Sequence, residues 1–526
     1  MGDSKMKIML NGKNFEFDEK IRLIDALTQA KIDLPSPCHH DHLPQICSCG
    51  LCLIGVKTSK SSLWKIELAC AITIEDGMEV NTEYPRAAKL RESIINVYLM
   101  KHPLDCSLCD KVGSCFLHKF VLYTNFHGFT RVTGRQYCNR NLRPLGGKIA
   151  IDDEKCILCD RCLRFCRDVL GEDILGRIKN DHNLNEINVY PGKSCANNYS
   201  LNLVDICPAG ALIDQTCHYD KLAWDLQHTP SISPESSVGV NTYILHDGKH
   251  VHRIIPRRND SINESWMPDS ARDLVNILRA DNRTTQVMRS GEKSDIRMMI
   301  AFVVNRIISH SEETYVLCSG ETSLEDQFVL KRFLDIIPAN LYFLKKQGIG
   351  DGFLISDDPY PNCTGAKIML LCTEANTHSS LEELYTLVKN GVCKNIICIY
   401  EDLFAEEVSS KIFDGVSITY IGYKNNKTAK IADFVFPTKT IFERIGTFVN
   451  KDYILQKFFK AVPPPFKKIF ECWEILSLLM NTYYFGENAD YLTLEQIWKD
   501  LPYVVEKFSG IDFCEVPLNG VSLKKE

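Results

Sequence analysis

Residues Lys155–Cys166 read KCILCDRCLRFC, four cysteines at gaps of two, two and three residues. This spacing constrains the fold more than any hydrophobic pattern, because three thiolates within seven residues must face one centre. A stretch serving two cubane iron–sulfur clusters would repeat C-x₂-C-x₂-C-x₃-C-P. The only later Cys-Pro is Cys207-Pro208, in VDICPAGAL. A complete second run would need cysteines where Leu203, Ser200 and Asn197 stand. Cys207 is therefore the natural fourth ligand for Cys156, Cys159 and Cys162, since the two runs ligate crosswise. Cys166 is left to pack as a small hydrophobe. The run supports one cubane, and it suits zinc poorly, because zinc sites take cysteines in separated pairs.

The rest of the composition agrees with a metal-bearing protein. Sixteen of the 23 cysteines fall within residues 1–220 of a 526-residue chain. In a reducing compartment such clustering means metal rather than disulfides. A formal charge of −6 provides no basic field for nucleic acid. No uncharged apolar run reaches the roughly 18 residues of a membrane span. The closest, FECWEILSLLM, holds Glu471 and Glu474 and reads as an amphipathic helix. The N-terminus shows no signal-peptide pattern, so a cytosolic protein is expected, with membrane contact only through partners.

Upstream, KIMLNGKNFEF alternates around a turn at Asn11-Gly12, and a helical period follows at Ile21, Ile24, Leu27 and Ala30. A hairpin followed by a helix is the start of a β-grasp ferredoxin. The segment PCHHDHLPQICSCGLC and the later Cys70 then offer Cys38, Cys49, Cys52 and Cys70 as [2Fe–2S] ligands, an early cysteine, a C-x₂-C pair and a distant fourth. Cys47 could replace Cys49, although only Cys49 completes the C-x₂-C pair. A zinc site using His39, His40 or His42 also fits this stretch taken alone. Next, HPLDCSLCDKVGSC presents His102, Cys106, Cys109 and Cys115, which fit either a Cys₃His zinc site or a [4Fe–4S] cluster with one imidazole ligand.

Three such groups in this order, behind a β-grasp start, resemble the family of large iron–sulfur subunits of respiratory complex I, the NADH:quinone oxidoreductases. Related modules occur in NAD-linked hydrogenases and formate dehydrogenases. The resemblance is close over residues 5–220 and looser to about residue 450. It implies one [2Fe–2S] cluster on Cys38, Cys49, Cys52 and Cys70. It implies two [4Fe–4S] clusters, on His102, Cys106, Cys109 and Cys115 and on Cys156, Cys159, Cys162 and Cys207. The implied partners are a flavoprotein NADH-binding subunit, a [2Fe–2S] partner subunit and quinone-module subunits, on the cytoplasmic side of a bacterial inner membrane. The interval from Cys52 to Cys70 is longer than usual for the family, so a longer loop is expected there. TPSISPESSVGVN is similar to a family segment that carries a further cluster, but Ser233, Ser236 and Val240 stand at its cysteine positions, and Pro268 at the fourth. No cluster is expected on it.

Downstream, TYVLC, KIMLLC, KNIICIY and SITYIGY are predicted strands. SLEDQFVLKRFLDII, SSLEELYTLVKNG and FAEEVSSKIF are predicted helices, giving a parallel sheet with helices on its faces. QGIGDGF is glycine-rich, but no helix follows to receive a phosphate, so a plain loop is expected. VPPPFKK reads as a rigid link. Ala432, Asp433, Pro437, Glu443, Gly446, Thr447 and Asn450 resemble a molybdopterin-oxidoreductase stretch, shortened and expected to hold no molybdopterin.

The fold class expected is α+β followed by α/β. It comprises a β-grasp [2Fe–2S] domain (5–86), a His/Cys₃ [4Fe–4S] domain (87–128) and a bacterial-ferredoxin-like [4Fe–4S] domain (147–220). A degenerate cluster segment (221–278), a truncated molybdopterin-oxidoreductase-like parallel-sheet domain (279–460) and a helical tail (466–526) complete it. The function expected is an electron wire with no isolated substrate site. The alternatives are the iron–sulfur subunit of an NAD-linked hydrogenase, a molybdopterin-dependent formate dehydrogenase, or a zinc-stabilised framework.

Overall fold

The structure, a computed structural model, describes residues 5–59, 61–103, 105–123, 142–179, 185–216, 221–370, 376–404, 408–466, 469–484, 491 and 493–524. Two compact units, Met1–Leu226 and Gln227–Glu526, divide the chain. Among the described residues no helix is long and apolar enough to cross a membrane.

The first unit opens with the expected hairpin, Met6–Leu10 against Lys13–Phe17. Its turn places Asn11 and Gly12 both at positive φ, the left-handed pair that a two-residue Asn-Gly connection demands. The hairpin joins a five-stranded mixed sheet, in the order Lys13–Phe17, Met6–Leu10, Glu79–Asn81, Leu53–Thr58, Ser61–Leu68. Met6–Leu10 and Glu79–Asn81 run parallel, and the other neighbours are antiparallel. Helix Leu23–Gln29 buries Leu23, Ile24, Ala26 and Leu27 in a core shared with Ile8, Leu10, Ile54, Val56 and Val80. The interval from Cys52 to Cys70 is not a longer loop, as expected, but an antiparallel hairpin, Leu53–Thr58 with Ser61–Leu68. Alternating residues such as Ile54, Val56 and Trp64 give that stretch a strand period.

Helix Pro85–Lys101 starts with proline at its first position, where the missing N–H costs nothing. Arg91 fastens it to the sheet by donating to the Leu53 and Thr82 carbonyls, both at 2.7 Å. The helix ends at His102. Beyond it lie the short helix Phe116–Tyr123, a three-stranded sheet (Arg143–Gly146, Ile149–Ile151, Leu212–Asp214) and a hairpin (Leu175–Lys179, Asn185–Val189). Residues 124–128 of the expected His/Cys₃ domain lie outside the described residues.

The second unit begins with an antiparallel sheet of Gln227–Ile232, Asn241–His246 and Val251–Pro256. Its centre is an eight-stranded sheet, in the order Glu292–Lys293, Met288–Arg289, Phe434–Pro437, Ser417–Gly422, Asn395–Ile399, Thr314–Ser319, Asn340–Leu344, Thr377–His378. From Phe434–Pro437 onward all neighbours are parallel. Helices Ile296–Ser309, Leu324–Ile336 and Cys472–Tyr484 contribute to one core, and Glu382–Lys389 to another with the alternate strand residues. Leu324–Ile336 carries a capping box between Ser323 and Asp326.

Several sequence expectations need correction. KIMLLC is not a strand: Lys367–Met369 close the helix Cys363–Met369, and Leu371 and Cys372 lie outside the described residues. A short apolar run has no period long enough to separate helix from strand. In FAEEVSSKIF the only described helix is the single 3₁₀ turn Ser410–Phe413, and residues 405–407 lie outside the described residues. FECWEILSLLM is helical but far less amphipathic than read, with seven side chains from Cys472 to Met480 buried. QGIGDGF is a loop, as expected. VPPPFKK has no regular structure up to Phe466, and its lysines lie outside the described residues.

Candidate metal centres

The first cysteine group closes on itself at the edge of the five-stranded sheet. Cys38 Sγ lies 3.3 Å from Cys49 Sγ, and Cys52 Sγ lies 3.3 Å from Cys70 Sγ. Two close thiol pairs suit two metal ions that each take two thiolates. The pairs are electrostatically lopsided. Hydrogen bonding from Cys49 pulls the Cys38 thiol down to about 5, and the same bond pushes Cys49 up. Cys70 pulls Cys52 down and is itself pushed up. In each pair one sulfur is favoured as thiolate and its neighbour as thiol, an imbalance that cationic iron would relieve by taking both as thiolates. Backbone N–H groups of Ser48 and Cys49 donate to the Cys38 sulfur. Cys47 Sγ is not at the Cys38–Cys49 pair, where it would substitute for Cys49. It sits 3.6 Å from Cys70 and accepts from Gln45 Nε2 at 2.9 Å. His39 directs Nε2 to the carboxylates of Asp41 (3.3 Å) and Asp25 (3.5 Å). Burial and the Arg161 charge hold His40 down to about 3.

In the second group His102 caps the C-terminus of Pro85–Lys101, and Cys106 begins a single 3₁₀ turn that ends before Cys109. His102, Cys109 and Cys115 are buried and Cys106 half-buried. The imidazole hydrogen-bonds to the Lys155 backbone. A metal-ligating histidine uses such a bond to fix its tautomer and ring orientation. Burial and the Lys155 charge lower the His102 pKa, which favours the neutral form that ligates. Burial raises the Cys106 and Cys115 thiols, and the Leu117 and His118 amides donate to Cys115. The buried Lys155 ammonium stands 3.9 Å from Cys109 Sγ.

The third group is the most fully formed. Cys156, Cys159, Cys162 and Cys207 together line one cavity of about 370 Å³ of atom-free space including its open mouth, walled by Ile151, Ile157, Ile187 and Leu212. Leu158 and Asp160 both adopt positive φ, so the chain coils tightly between the ligands. That coil aims amides at sulfur: Leu158 at Cys156 and Arg161 at Cys159. Ala211 N donates to Cys207 Sγ at 3.3 Å. Burial raises the Cys156 thiol to about 11 and Cys159 to about 12, and Cys162 upward as well. Thiols raised by burial in an apolar cavity need a cationic group to hold them as thiolates, so the donor set fits an iron–sulfur cube. Cys166 is buried beyond the cavity wall. Where a second run would place cysteines, Asn197 and Ser200 hydrogen-bond each other and Leu203 is buried.

The three groups meet. Cys38, Cys49, Cys115 and Cys159 belong to one apolar cluster, with Leu51, Ile95 and Leu117. Phe116 N donates to Pro208 O, and Lys111 Nζ to the Asp205 carbonyl at 3.1 Å, which seats the second group on the Cys207 loop. Gly210 makes that seat possible: at φ +68 a Cβ there would meet the Lys111 Cβ at 2.5 Å. The basic residues threaded between these loops, Lys155, Arg161 and Arg164, were not singled out from the sequence. The only signal was their place inside the cysteine run.

In the second unit, Ser233, Ser236, Val240 and Pro268 are all buried. The serine loop is tied down by bonds from Ser356 N to Ser236 Oγ (3.1 Å), Asn450 Nδ2 to Val238 O (3.0 Å) and Gln456 Nε2 to Gly239 O (2.9 Å). The molybdopterin-type residues are satisfied internally as well. Asp433 accepts from Ile418 N, Glu443 pairs with Arg283, and Thr447 donates twice to Glu325.

These folds and thiol sets are of the iron–sulfur class. Family models match in series: a 2Fe-2S iron-sulfur cluster binding domain at 3–85, an NADH-ubiquinone oxidoreductase-G iron-sulfur binding region at 91–127 and an NADH-quinone oxidoreductase subunit 3 ferredoxin-like domain at 146–213. An NADH-ubiquinone oxidoreductase NDSU1/NuoG-like 4Fe-4S domain matches 226–276, and molybdopterin oxidoreductase matches 404–482. More particularly, the chain is similar in sequence to G-type components of NADH-quinone oxidoreductase. It is 30% identical to the G-type NADH-quinone oxidoreductase component of Rickettsia conorii over 346 residues, 64% of this chain and 50% of that protein. It is 29% identical to the mitochondrial NADH dehydrogenase [ubiquinone] iron-sulfur protein 1 of Solanum tuberosum over 352 residues, 65% and 46% of the two chains. The chain thus spans about half the length of the curated relatives it matches. A solved NAD+-reducing [NiFe]-hydrogenase chain shares 19% identity at a TM-score of 0.35, over 41% of this chain and 91% of that one.

Proposed function

We propose that this chain is an electron-transfer subunit of an NADH:quinone oxidoreductase, receiving electrons from a flavin module and passing them towards quinone. The observation that carries this reading is the single apolar cluster in which ligands from all three cysteine groups meet. Bound iron–sulfur clusters supply one-electron redox chemistry. The protein's own part is to set spacing and potential. Cys38, Cys49, Cys52 and Cys70 would hold a [2Fe–2S] cluster on a β-grasp domain. His102 with Cys106, Cys109 and Cys115, and Cys156, Cys159 and Cys162 with Cys207, would hold one [4Fe–4S] cluster each. Amide donors to the sulfurs stabilise added negative charge, and Ile157, Ile187 and Leu212 keep water from the third site. The partners would be the flavoprotein NADH-binding subunit, a [2Fe–2S] subunit and the quinone module, at the cytoplasmic face of a bacterial inner membrane.

The second unit would act as scaffold, without a cluster at 233–268 and without molybdopterin. What supports this is that its serine loop and its molybdopterin-type residues bond to other parts of the same unit. Iron and sulfide analysis of the full chain purified without oxygen tests the reading. The expected count is about ten iron atoms per chain, from one two-iron and two four-iron centres. Stoichiometric zinc with negligible iron would overturn it, and bound molybdenum or tungsten would overturn the scaffold role. His102→Cys should lower the midpoint of one cubane, because a thiolate adds negative charge that the imidazole does not.

A further inference from the structure

Arg161 occupies a place that none of the ligand assignments explains. It sits between Cys159 and Cys162 and lines the cavity of the third site. Its Nη1 donates to the carbonyl of Ile206, the residue before Cys207, at 3.2 Å. Its Nη2 donates to the carbonyl of His39, the residue after Cys38, 122 positions away. One planar fork therefore holds a backbone oxygen beside a ligand of each of two sites. Arg164, one turn on, repeats the reach across the same junction, donating to the Pro44 and Cys38 carbonyls. Arg161 Nε is buried and finds no acceptor among the described residues. A cation taken this far from water is costly unless negative charge lies near. As thiolate ligands the sulfurs of Cys159, Cys207 and Cys38, drawn from both sites, would supply that charge against the neighbouring Arg164 guanidinium.

We propose that Arg161 is a positioning residue that clamps the Cys38 loop to the Cys156–Cys207 site and keeps one buried positive charge between the two centres. The clamp fixes the path over which an electron must tunnel. The charge favours the reduced form of both neighbours, so neither becomes a trap relative to the other. Lysine cannot reproduce this, because a point ammonium lacks the fork that reaches both carbonyls at once. The inference rests on the electron-transfer reading above. Zinc in the wild-type chain would sink that reading by itself, whereas the variants below address the clamp alone.

The test uses the full chain, purified without oxygen, as wild type, Arg161→Met and Arg161→Lys. Iron content, the EPR-monitored midpoints of the [2Fe–2S] and Cys156 centres, and microwave power saturation of the [2Fe–2S] signal with its neighbour reduced are measured. In Arg161→Met both midpoints should fall by at least a tenfold change in the reduction equilibrium, about 59 mV for a one-electron couple. Arg161→Lys should restore both midpoints most of the way while the saturation behaviour stays altered. If the Met variant loses iron, the Lys variant decides: near-native midpoints with altered saturation support the clamp, and native saturation overturns it. Iron-replete Arg161→Met with unmoved midpoints overturns it too, as does a shift confined to the Cys156 centre.

Discussion

Lys155→Met should lower the midpoint of the His102–Cys106–Cys109–Cys115 centre by about 40 mV. The Lys155 ammonium is 4% exposed and 3.9 Å from Cys109 Sγ. With an effective dielectric constant of about 20, a unit charge at that distance interacts by about 4 kcal/mol with a full electron on the sulfur. An added electron is shared over the cube and its ligands, so roughly a quarter of that, about 1 kcal/mol, is the share attributed to this contact. For a one-electron couple that is about 40 mV. The sign is fixed by charge: a cation favours the more negative, reduced form, and its removal favours the oxidised one. Asp105 and Asp152, at 3.9 and 3.7 Å from the ammonium, lose their counter-charge in the variant and push the same way. Lys155→Arg should keep most of the wild-type midpoint. The assay is an EPR-monitored titration of the oxygen-free full chain alongside iron analysis. An iron-replete Lys155→Met whose midpoint is unmoved or raised would refute the claim that this ammonium tunes the centre.

Cys47→Ser should keep the [2Fe–2S] absorbance and EPR signal, whereas Cys49→Ser should abolish both. The reverse result would make Cys47 the ligand. In the second unit Arg283 and Glu443 form a fully buried pair with bonds of 2.7 and 2.9 Å. Arg283→Met should cost about 3–5 kcal/mol, because a carboxylate is left without its cation, while Arg283→Met with Glu443→Leu should recover most of that loss. Urea unfolding followed through Trp266, Trp473 and Trp498 checks both. Burial pushes the Glu325 carboxyl above its usual 4.5. A carboxyl raised in the fold contributes its full favourable balance below about pH 4.5, and that contribution declines as pH rises above it. Glu325→Gln should flatten that decline above about pH 4.5 in the same unfolding assay, and an unchanged slope would mean that burial does not raise this carboxyl.

What the sequence made legible was what sequence spacing encodes. The Asn11-Gly12 hairpin, the helix Leu324–Ile336 and the strands Asn395–Ile399 and Ser417–Gly422 all carry a local period or a turn signal. Four cysteines around one cavity followed from counting residues from Cys207 back to Cys156. Short apolar runs failed, as at Lys367–Met369, because so few residues fit either period. The contacts of Arg161 and Arg164 with the Cys38 loop were invisible because their partners lie 122 and 126 positions away. The preference for Cys49 over Cys47 was legible in the C-x₂-C spacing, whereas the approach of Cys47 to Cys70 depends on how a loop with Cys47 and Gly50 at positive φ folds.

The molybdopterin-type residues of the second unit take partners within it. A buried polar side chain must be hydrogen-bonded or bear the full cost of burial. Here Thr447 directs its amide and hydroxyl to Glu325, which also accepts from Trp498 Nε1 at 3.0 Å. Asn450 caps the Val238 carbonyl in the serine loop, and Gly239 beside it has φ +73 and no room for a Cβ against Gln456. Asp326, the capping-box residue of Leu324–Ile336, takes Arg444 at 2.7 Å and the Trp473 amide at 3.1 Å, joining the sheet to the helix Cys472–Tyr484. These bonds run between segments far apart in sequence and leave the motif residues committed to partners within the unit. A buried polar network of this kind supplies rigidity that an apolar core alone would not specify.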